Sequence, residues 1–400
     1  MKIKEVDAKA ILDSRGDETI EVLIKTGFGT FAASSPFGKS IGKFETPAFI
    51  NGIKGSIKTI KNSIGKIKEV EIESFYDLIE IENAVGKKNI GANTLYALEL
   101  AILKALATEQ DKRLWQVVNP KAKYLPIPIG NCIGGGLHSQ NKKKPEFQEF
   151  HIIPKIKHFS DAVYIMRKCH EICGKRLELL NAKGRLNDEN AWSTTLDNES
   201  VLKIMEKTRD EVVGEVGREI DLGIDVAASS FYQNGNYVYK NPEEILNKQE
   251  QLDYLARLAG EYELIYIEDP FHEEDWQSFG MLKERVRKEN SCLIVGDDLT
   301  ASQFDRIKEF IKKQAISGVI LKPNQNGSII ELKEISDFAK NHAIKVIVSH
   351  RSGETNEYAL ADLAFAFGAD YIKTGIIGKE REIKLQRMIE IEKEVNERLI

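Results

Sequence analysis

The sequence predicts an α/β protein: a (β/α)8-type barrel preceded by an α+β N-terminal domain that contains a three-stranded meander. The first observation is a series of six apolar runs in the second half. They are GIDVAAS (223–229), YELIYIEDP (262–270), SCLIVGDD (291–298), ISGVILKP (316–323), IKVIVSH (344–350) and DYIKTG (370–375). The second is their spacing. The charged residues that mark them, Asp225, Glu268, Asp297, Lys322, His350 and Lys373, stand 43, 29, 25, 28 and 23 positions apart. A strand, a returning helix and two loops take about 25–45 residues, so these are successive βα units. Closed into a barrel, such units bring the C-terminal ends of their strands to one mouth. The third is the different texture of residues 2–35, short alternating runs broken by turns.

In chain order, the weak alternation of 2–12 breaks at DSRGD (13–17), and ETIEVLIKT (18–26) and TFAASS (30–35) follow around the turn GFG. That is a β-meander. PFGKSIGKFETP (36–47) reads as a mobile loop, with Ser40 between glycines and lysines. Residues 51–70, 74–85 and 92–110 read as helices, the last with Leu95, Leu98, Ile102 and Leu106 on one stripe. The first domain is expected over 1–125 and the barrel domain over 126–400, with the prolines of YLPIPIGNCIGGGLHSQNKKKP (124–145) at the junction. FQEFHIIP (147–154) is a short strand carrying Gln148 and Glu149, and 160–182 is helical. RLNDENAWSTTL (185–196) is a polar loop with Asp188 and Glu189, and 198–213 is a helix with Asn198 as its N-cap. The tail, 379–399, is a long amphipathic helix that uses Ile383, Met388, Ile389 and Val395 against the barrel or a partner.

The 400 residues are 42% hydrophobic, enough for a substantial core, and carry a formal net charge of -5. That balance argues against nucleic acid as the main partner, while a small anionic substrate remains compatible with local lysines. No apolar stretch has the length of a membrane span, and MKIKEVDAKAI lacks the apolar core of a signal peptide. No membrane partner and a cytoplasmic, reducing location are therefore expected. The cysteines Cys132, Cys169, Cys173 and Cys292 form no CxxC pair. Cys169 and Cys173 share a helix face from which His170 points away, and all three read as ordinary helix residues.

Asp225, Glu268 and Asp297 offer hard oxygen ligands from consecutive strands, a set that suits Mg²⁺ better than zinc. Lys322 and Lys373 sit inside strand ends rather than on a solvated face. A lysine crowded by another cation has a lowered pKa and serves as a base, while its neighbour pairs with a substrate anion. Schiff-base chemistry is the rival use of such lysines, but it leaves three aligned carboxylates surplus. Glu149 and Glu189, outside the regular relay, form a pair that can share a proton, so one acts as an acid near neutral pH. Base, acid and divalent ion together describe removal of a proton α to a carboxylate followed by loss of a β-leaving group.

Along nearly its full length the chain also resembles enolase (phosphopyruvate hydratase), as a divergent member of archaeal character. The segments that carry the resemblance are AILDSRGDETIEV (10–22), GKSIGKFE (38–45), GANTLYALELA (91–101), QEFHIIP (148–154), YIEDPF (266–271), VGDDLT (295–300), LKPNQNGSIIE (321–331), SHRSGET (349–355) and IKTG (372–375). The resemblance implies an enolase-like barrel with irregular first strands and reversible dehydration of 2-phospho-D-glycerate to phosphoenolpyruvate, in glycolysis and gluconeogenesis. It implies one conformational Mg²⁺ on Asp225, Glu268 and Asp297, and a second ion with substrate, ligated by Ser40 of the closing loop. Lys322 matches the base at C2, and Lys373 the lysine on the substrate carboxylate. Arg351 and Ser352 match the phosphate-binding pair, and His350 a histidine of the same pocket. Glu189 matches the acid that assists hydroxide departure, with Glu149 its partner. Gln148 matches a neighbour in the pocket wall and His138 a histidine of the loop after the glycines. The resemblance further implies a homodimer, and in some members an octamer.

The departures from the family pattern cluster around the mouth. SGASTG is here FGKSIG (37–42), which sets Lys39 beside Ser40. NGGxHAxN is GGGLHSQN (134–141), with two additional residues before Glu149. GDEGGFAP is NDENAWST (187–194), so Asn190 and Ala191 replace two glycines. LKVNQ is LKPNQ, with Pro323 after Lys322. Such changes leave room for a related acid lyase or dehydratase with another substrate, or for a weakly active relative.

Overall fold

The computed structural model describes residues 1–39, 42–289 and 292–397. Strands β1 (Glu5–Leu12), β2 (Glu18–Lys25) and β3 (Thr30–Ser34) form the expected antiparallel meander. Its inward alternation, Val6 and Ala8 on β1 and Ile20, Val22 and Ile24 on β2, is buried against helices. The helices Gly52–Glu69 and Leu78–Val85 follow, and then Ala92–Glu109. This last helix is buried on every face, not along one stripe, with Asn93, Thr94 and Glu99 fully enclosed. It lies between the meander and the barrel, where Glu99 accepts the Ile329 N–H at 2.7 Å and Asn93 donates to the Pro36 carbonyl at 2.9 Å.

The remaining strands are β4 (Ile127–Gly134), β5 (Glu149–Pro154), β6 (Lys183–Leu186), β7 (Trp192–Thr194), β8 (Ile220–Asp225), β9 (Tyr232–Gln233), β10 (Asn236–Lys240), β11 (Glu243–Leu246), β12 (Leu264–Glu268), β13 (Leu293–Gly296), β14 (Gly318–Leu321), β15 (Lys345–Ser349) and β16 (Tyr371–Lys373). Strands β4, β5, β8 and β12 to β16 close a barrel through the β16–β4 pairing. Strand β5 runs antiparallel to both β4 and β8, so the beginning of the barrel is irregular. Ile129, Ile153, Tyr266, Val295, Ile320 and Ile347 fill the interior as a layer beneath the mouth. Gly223 leaves space for Tyr266, since a Cβ there would lie 2.9 Å from the Tyr266 Cβ.

Three features differ from the sequence reading. The stretch 185–196 is not all loop: β6 and β7 pair as a hairpin and hold the polar turn between them. The helix Asn198–Val216 is capped by Asp197, which accepts the Ser200 N–H at 2.8 Å. Asn198 is already inside the helix, and its side chain accepts the Phe147 N–H at 3.1 Å. A small antiparallel sheet, β9 to β11, separates β8 from the helix Lys248–Glu261.

Candidate active site

Strand register assembles the site. Glu149 on β5 pairs with Asp225 on β8, and Asp225 pairs with Glu268 on β12. Directly opposed residues project to the same face of a sheet, so three carboxylates line up across three strand ends. Asp297 follows the end of β13, and Lys322 and Lys373 come from the ends of β14 and β16. His138, Gln148, Glu149, Glu189, Asp225, Glu268, Lys322, His350, Arg351, Ser352 and Lys373 line one polar cleft. Ser40, the expected second-ion ligand, lies outside the described residues.

Both lysines are ion-paired with carboxylates, and Lys373 bridges two of them. Lys373 Nζ lies 2.8 Å from Glu268 Oε2 and 2.9 Å from Glu149 Oε2. Lys322 Nζ is ion-paired with Asp297. Among the described residues, the groups of three or more His, Cys, Asp or Glu with ligand atoms within 4.8 Å of one another are His138–Glu149–Glu189 and Asp269–Asp297–Asp298. The expected trio Asp225, Glu268 and Asp297 is not one of these; Lys373 contacts Glu268 and Lys322 contacts Asp297. The trio nevertheless fits a hard divalent cation: its donors are all oxygens, Asp297 Oδ1 is buried without a hydrogen-bond partner, and burial together with Glu268 pushes the Asp225 carboxyl well above its usual range. Gln148 donates to Asp225 Oδ2 at 3.1 Å, Tyr266 OH to Glu268 Oε2 at 2.7 Å.

The lowered pKa expected for a base lysine is not found. Burial pulls the Lys322 ammonium down, but Asp297, with Glu268 and Asp298, outweighs it and the net shift is upward. A cation, Arg351, does crowd it and pulls in the expected direction, but the carboxylates outweigh burial and Arg351 together.

The two glutamates shift in opposite directions. Burial, then the charge of Glu149, raises Glu189 to about 8. Burial would also raise Glu149, but Lys373 and His151 hold it well below the usual range. His138 Nδ1 stands 3.8 Å from Glu189 Oε2 and 3.9 Å from Glu149 Oε1, and burial lowers it to about 4, so it is neutral.

The end of β15 is organised by two charges on the C-terminal helix Lys379–Glu397 that the sequence reading missed. Arg381, 1% exposed, donates to the Arg351 carbonyl at 2.8 Å, the Ser352 carbonyl at 2.7 Å and the Asp188 carbonyl at 3.3 Å. It also meets His350 Nδ1 at 3.0 Å; that nitrogen accepts, and the ring proton of neutral His350 sits on Nε2, 3.8 Å from Glu189. Lys384 pairs with Glu354 at 2.8 Å, and Glu354 accepts the Arg351 N–H at 3.0 Å. The signal was an Arg and a Lys three apart on the apolar side of the tail, which amphipathic averaging hides.

Arg351 meets Glu45 through both terminal nitrogens, at 3.1 and 3.2 Å. Ser352 Oγ accepts from Arg15 at 3.1 Å and from the Lys39 N–H at 2.9 Å. Lys39 Nζ reaches Asp188 Oδ2 at 2.8 Å, so the divergent loop bridges the Ser352 side of the mouth to the Glu189 side.

Two family models cover the chain: "Enolase, N-terminal domain" over residues 3–118 and "Enolase, C-terminal TIM barrel domain" over 122–400. Curated relatives named Enolase are similar from end to end. That of Pyrobaculum aerophilum is 35% identical over 98% of this chain and 96% of the relative. Those of Picrophilus torridus and Archaeoglobus fulgidus are each 34% identical over 98% of this chain, and over 99% and 97% of the relatives.

Proposed function

The chain belongs to the enolase family, and from that premise we propose how its own residues dehydrate 2-phospho-D-glycerate to phosphoenolpyruvate and reverse the reaction. The enzyme is a hydro-lyase, a phosphopyruvate hydratase. The observation that carries the assignment of roles is the placement of a raised acid, Glu189, in one cleft with a strand-end lysine, Lys322.

In this reading Lys322, neutral at the moment of reaction, takes the C2 proton and becomes an ammonium. The electron pair moves onto the substrate carboxylate, whose charge Lys373 opposes. The pair then returns to form the C2–C3 double bond as the C3–oxygen bond breaks. Glu189 gives its proton to the departing oxygen, and water leaves. Glu149, held ionised by Lys373 and His151, keeps that proton on Glu189 until it is needed. Arg351 and Ser352 take the phosphate, with His350, His138 and Gln148 completing the wall.

Asp225, Glu268 and Asp297 would hold Mg²⁺, which supplies positive charge against the enolate oxygens. An ion held there would share Asp297, the carboxylate that does most to keep Lys322 protonated. A second ion, with Ser40 among its ligands, belongs to the same reading. So do a boundary near residue 125, a homodimer and a cytoplasmic location; among the described residues no helix is long and apolar enough to cross a membrane.

The roles separate experimentally. Lys322→Ala should abolish both C2 proton exchange with solvent and net dehydration. Glu189→Gln should cut dehydration by about 10²–10⁴-fold while exchange persists, because the acid acts after proton removal. Equal loss of exchange in both variants contradicts the assignment.

A further inference from the structure

The loop that carries Glu189 is held from behind by residues that do not line the cleft. Asn190 stands where the family pattern has glycine and takes a φ of 63°, a left-handed conformation that asparagine tolerates. Its carbonyl accepts a hydrogen bond from His170 Nε2 at 2.9 Å. Two residues on, Trp192 Nε1 donates to the His170 carbonyl at 2.9 Å. The rings of His170 and Trp192 also stack, 5.2 Å apart and inclined by 25°. The residues on both sides of Ala191 are thus tied to one residue of the helix Phe159–Leu179.

The surroundings match these side chains. A Cβ on Gly174, four residues along the same helix, would lie 2.7 Å from the Trp192 ring. A Cβ on Gly378 would lie 2.2 Å from Asn190 Nδ2. Gly378 therefore accommodates the asparagine that has replaced a glycine of the loop, and Gly174 the indole that stands where the family pattern has phenylalanine. Asn187 Oδ1 accepts the Glu189 and Ala191 N–H groups, each at 2.9 Å, which closes the turn around the acid.

We propose that His170 and Trp192 are a positioning pair for the general acid: they fix the Asn190 carbonyl and hence the approach of Glu189 to the leaving hydroxyl. Neither touches the reacting atoms. The inference rests on the assignment of Glu189 as the acid. Its consequence is confined to the second half of the reaction, since proton removal at C2 needs Lys322 and not this loop.

The experiment measures, for each variant, the rate of C2 hydrogen exchange on 2-phosphoglycerate and the rate of dehydration. His170→Leu should lower dehydration about tenfold and leave exchange within about twofold, as expected for a small misplacement of a reacting group. His170→Gln, whose amide N–H falls near the position of Nε2, should recover most of the loss. Trp192→Phe keeps a ring but loses the bond to the His170 carbonyl and should fall between. An unchanged ratio of dehydration to exchange in His170→Leu, with Glu189→Gln lowering that ratio, overturns the positioning role alone. An unchanged ratio in Glu189→Gln overturns the acid assignment and this inference with it. If His170→Leu does not fold, Gly174→Ala displaces Trp192 from the helix side, and an unchanged ratio there overturns the proposal equally.

Discussion

Glu189 and Glu149 show how one residue type acquires two states within a single cleft. Both are buried, yet of the two only Glu149 has Lys373 and His151 at hydrogen-bonding distance. The remaining proton therefore belongs to Glu189, which is raised to about 8. A carboxyl raised on folding contributes stability that is complete below its unfolded pKa and is lost as pH rises to the folded value. With a chelator present, the melting temperature of the protein relative to its Glu189→Gln variant should fall between about pH 4.5 and pH 8 and level off above that. A difference that is flat across this interval would show that Glu189 is not raised. Sequence order alone could pair these two glutamates, but not say which one keeps the proton. That depends on Lys373 from the far side of the barrel.

The elements divide in the same way between what a sequence shows and what packing adds. Strands β12 to β16 were legible because parallel strands covered on both faces read as continuous apolar runs ended by a charge. The sheet β9 to β11 was not, because its strands are short and half polar, as in NYVYK (236–240). The buried charges of the C-terminal helix were hidden as well: an arginine belongs inside only once its acceptors are known. Removing the guanidinium in Arg381→Met leaves His350 Nδ1 and three carbonyls without this donor, and should cost about 3 kcal/mol of stability, measured by denaturant unfolding. The closing loop is tuned differently. The Lys39–Asp188 pair is partly exposed, so Lys39→Ala should raise KM by no more than about fivefold, and less at high salt. Gly38→Ala should do more, because its Cβ would fall 1.9 Å from Arg351 Nη2 and drive the guanidinium aside. A rise in KM above tenfold is expected there, on the order of the loss of one charge-assisted contact.

At the scale of the whole molecule, the meander, the enclosed helix and the barrel set one acidic cleft at the strand ends, with the C-terminal helix bracing it from behind. The barrel and the charged relay were readable from spacing, since each βα unit repeats a length set by chain geometry. The irregular antiparallel start, with β5 reversed between β4 and β8, left no comparable repeat and entered only through the family resemblance. The loops whose sequences depart furthest from the family, around Lys39, His138 and Asn190, all meet at this cleft or directly behind it. The central claim is that they still permit the family reaction. The most direct measurement is the appearance of phosphoenolpyruvate, by its absorbance, when the purified protein is given 2-phosphoglycerate with Mg²⁺. Turnover should appear, stop with a chelator and be absent from Lys322→Ala. Folded protein that shows no turnover at millimolar substrate and Mg²⁺, or turnover that Lys322→Ala retains, would contradict that claim.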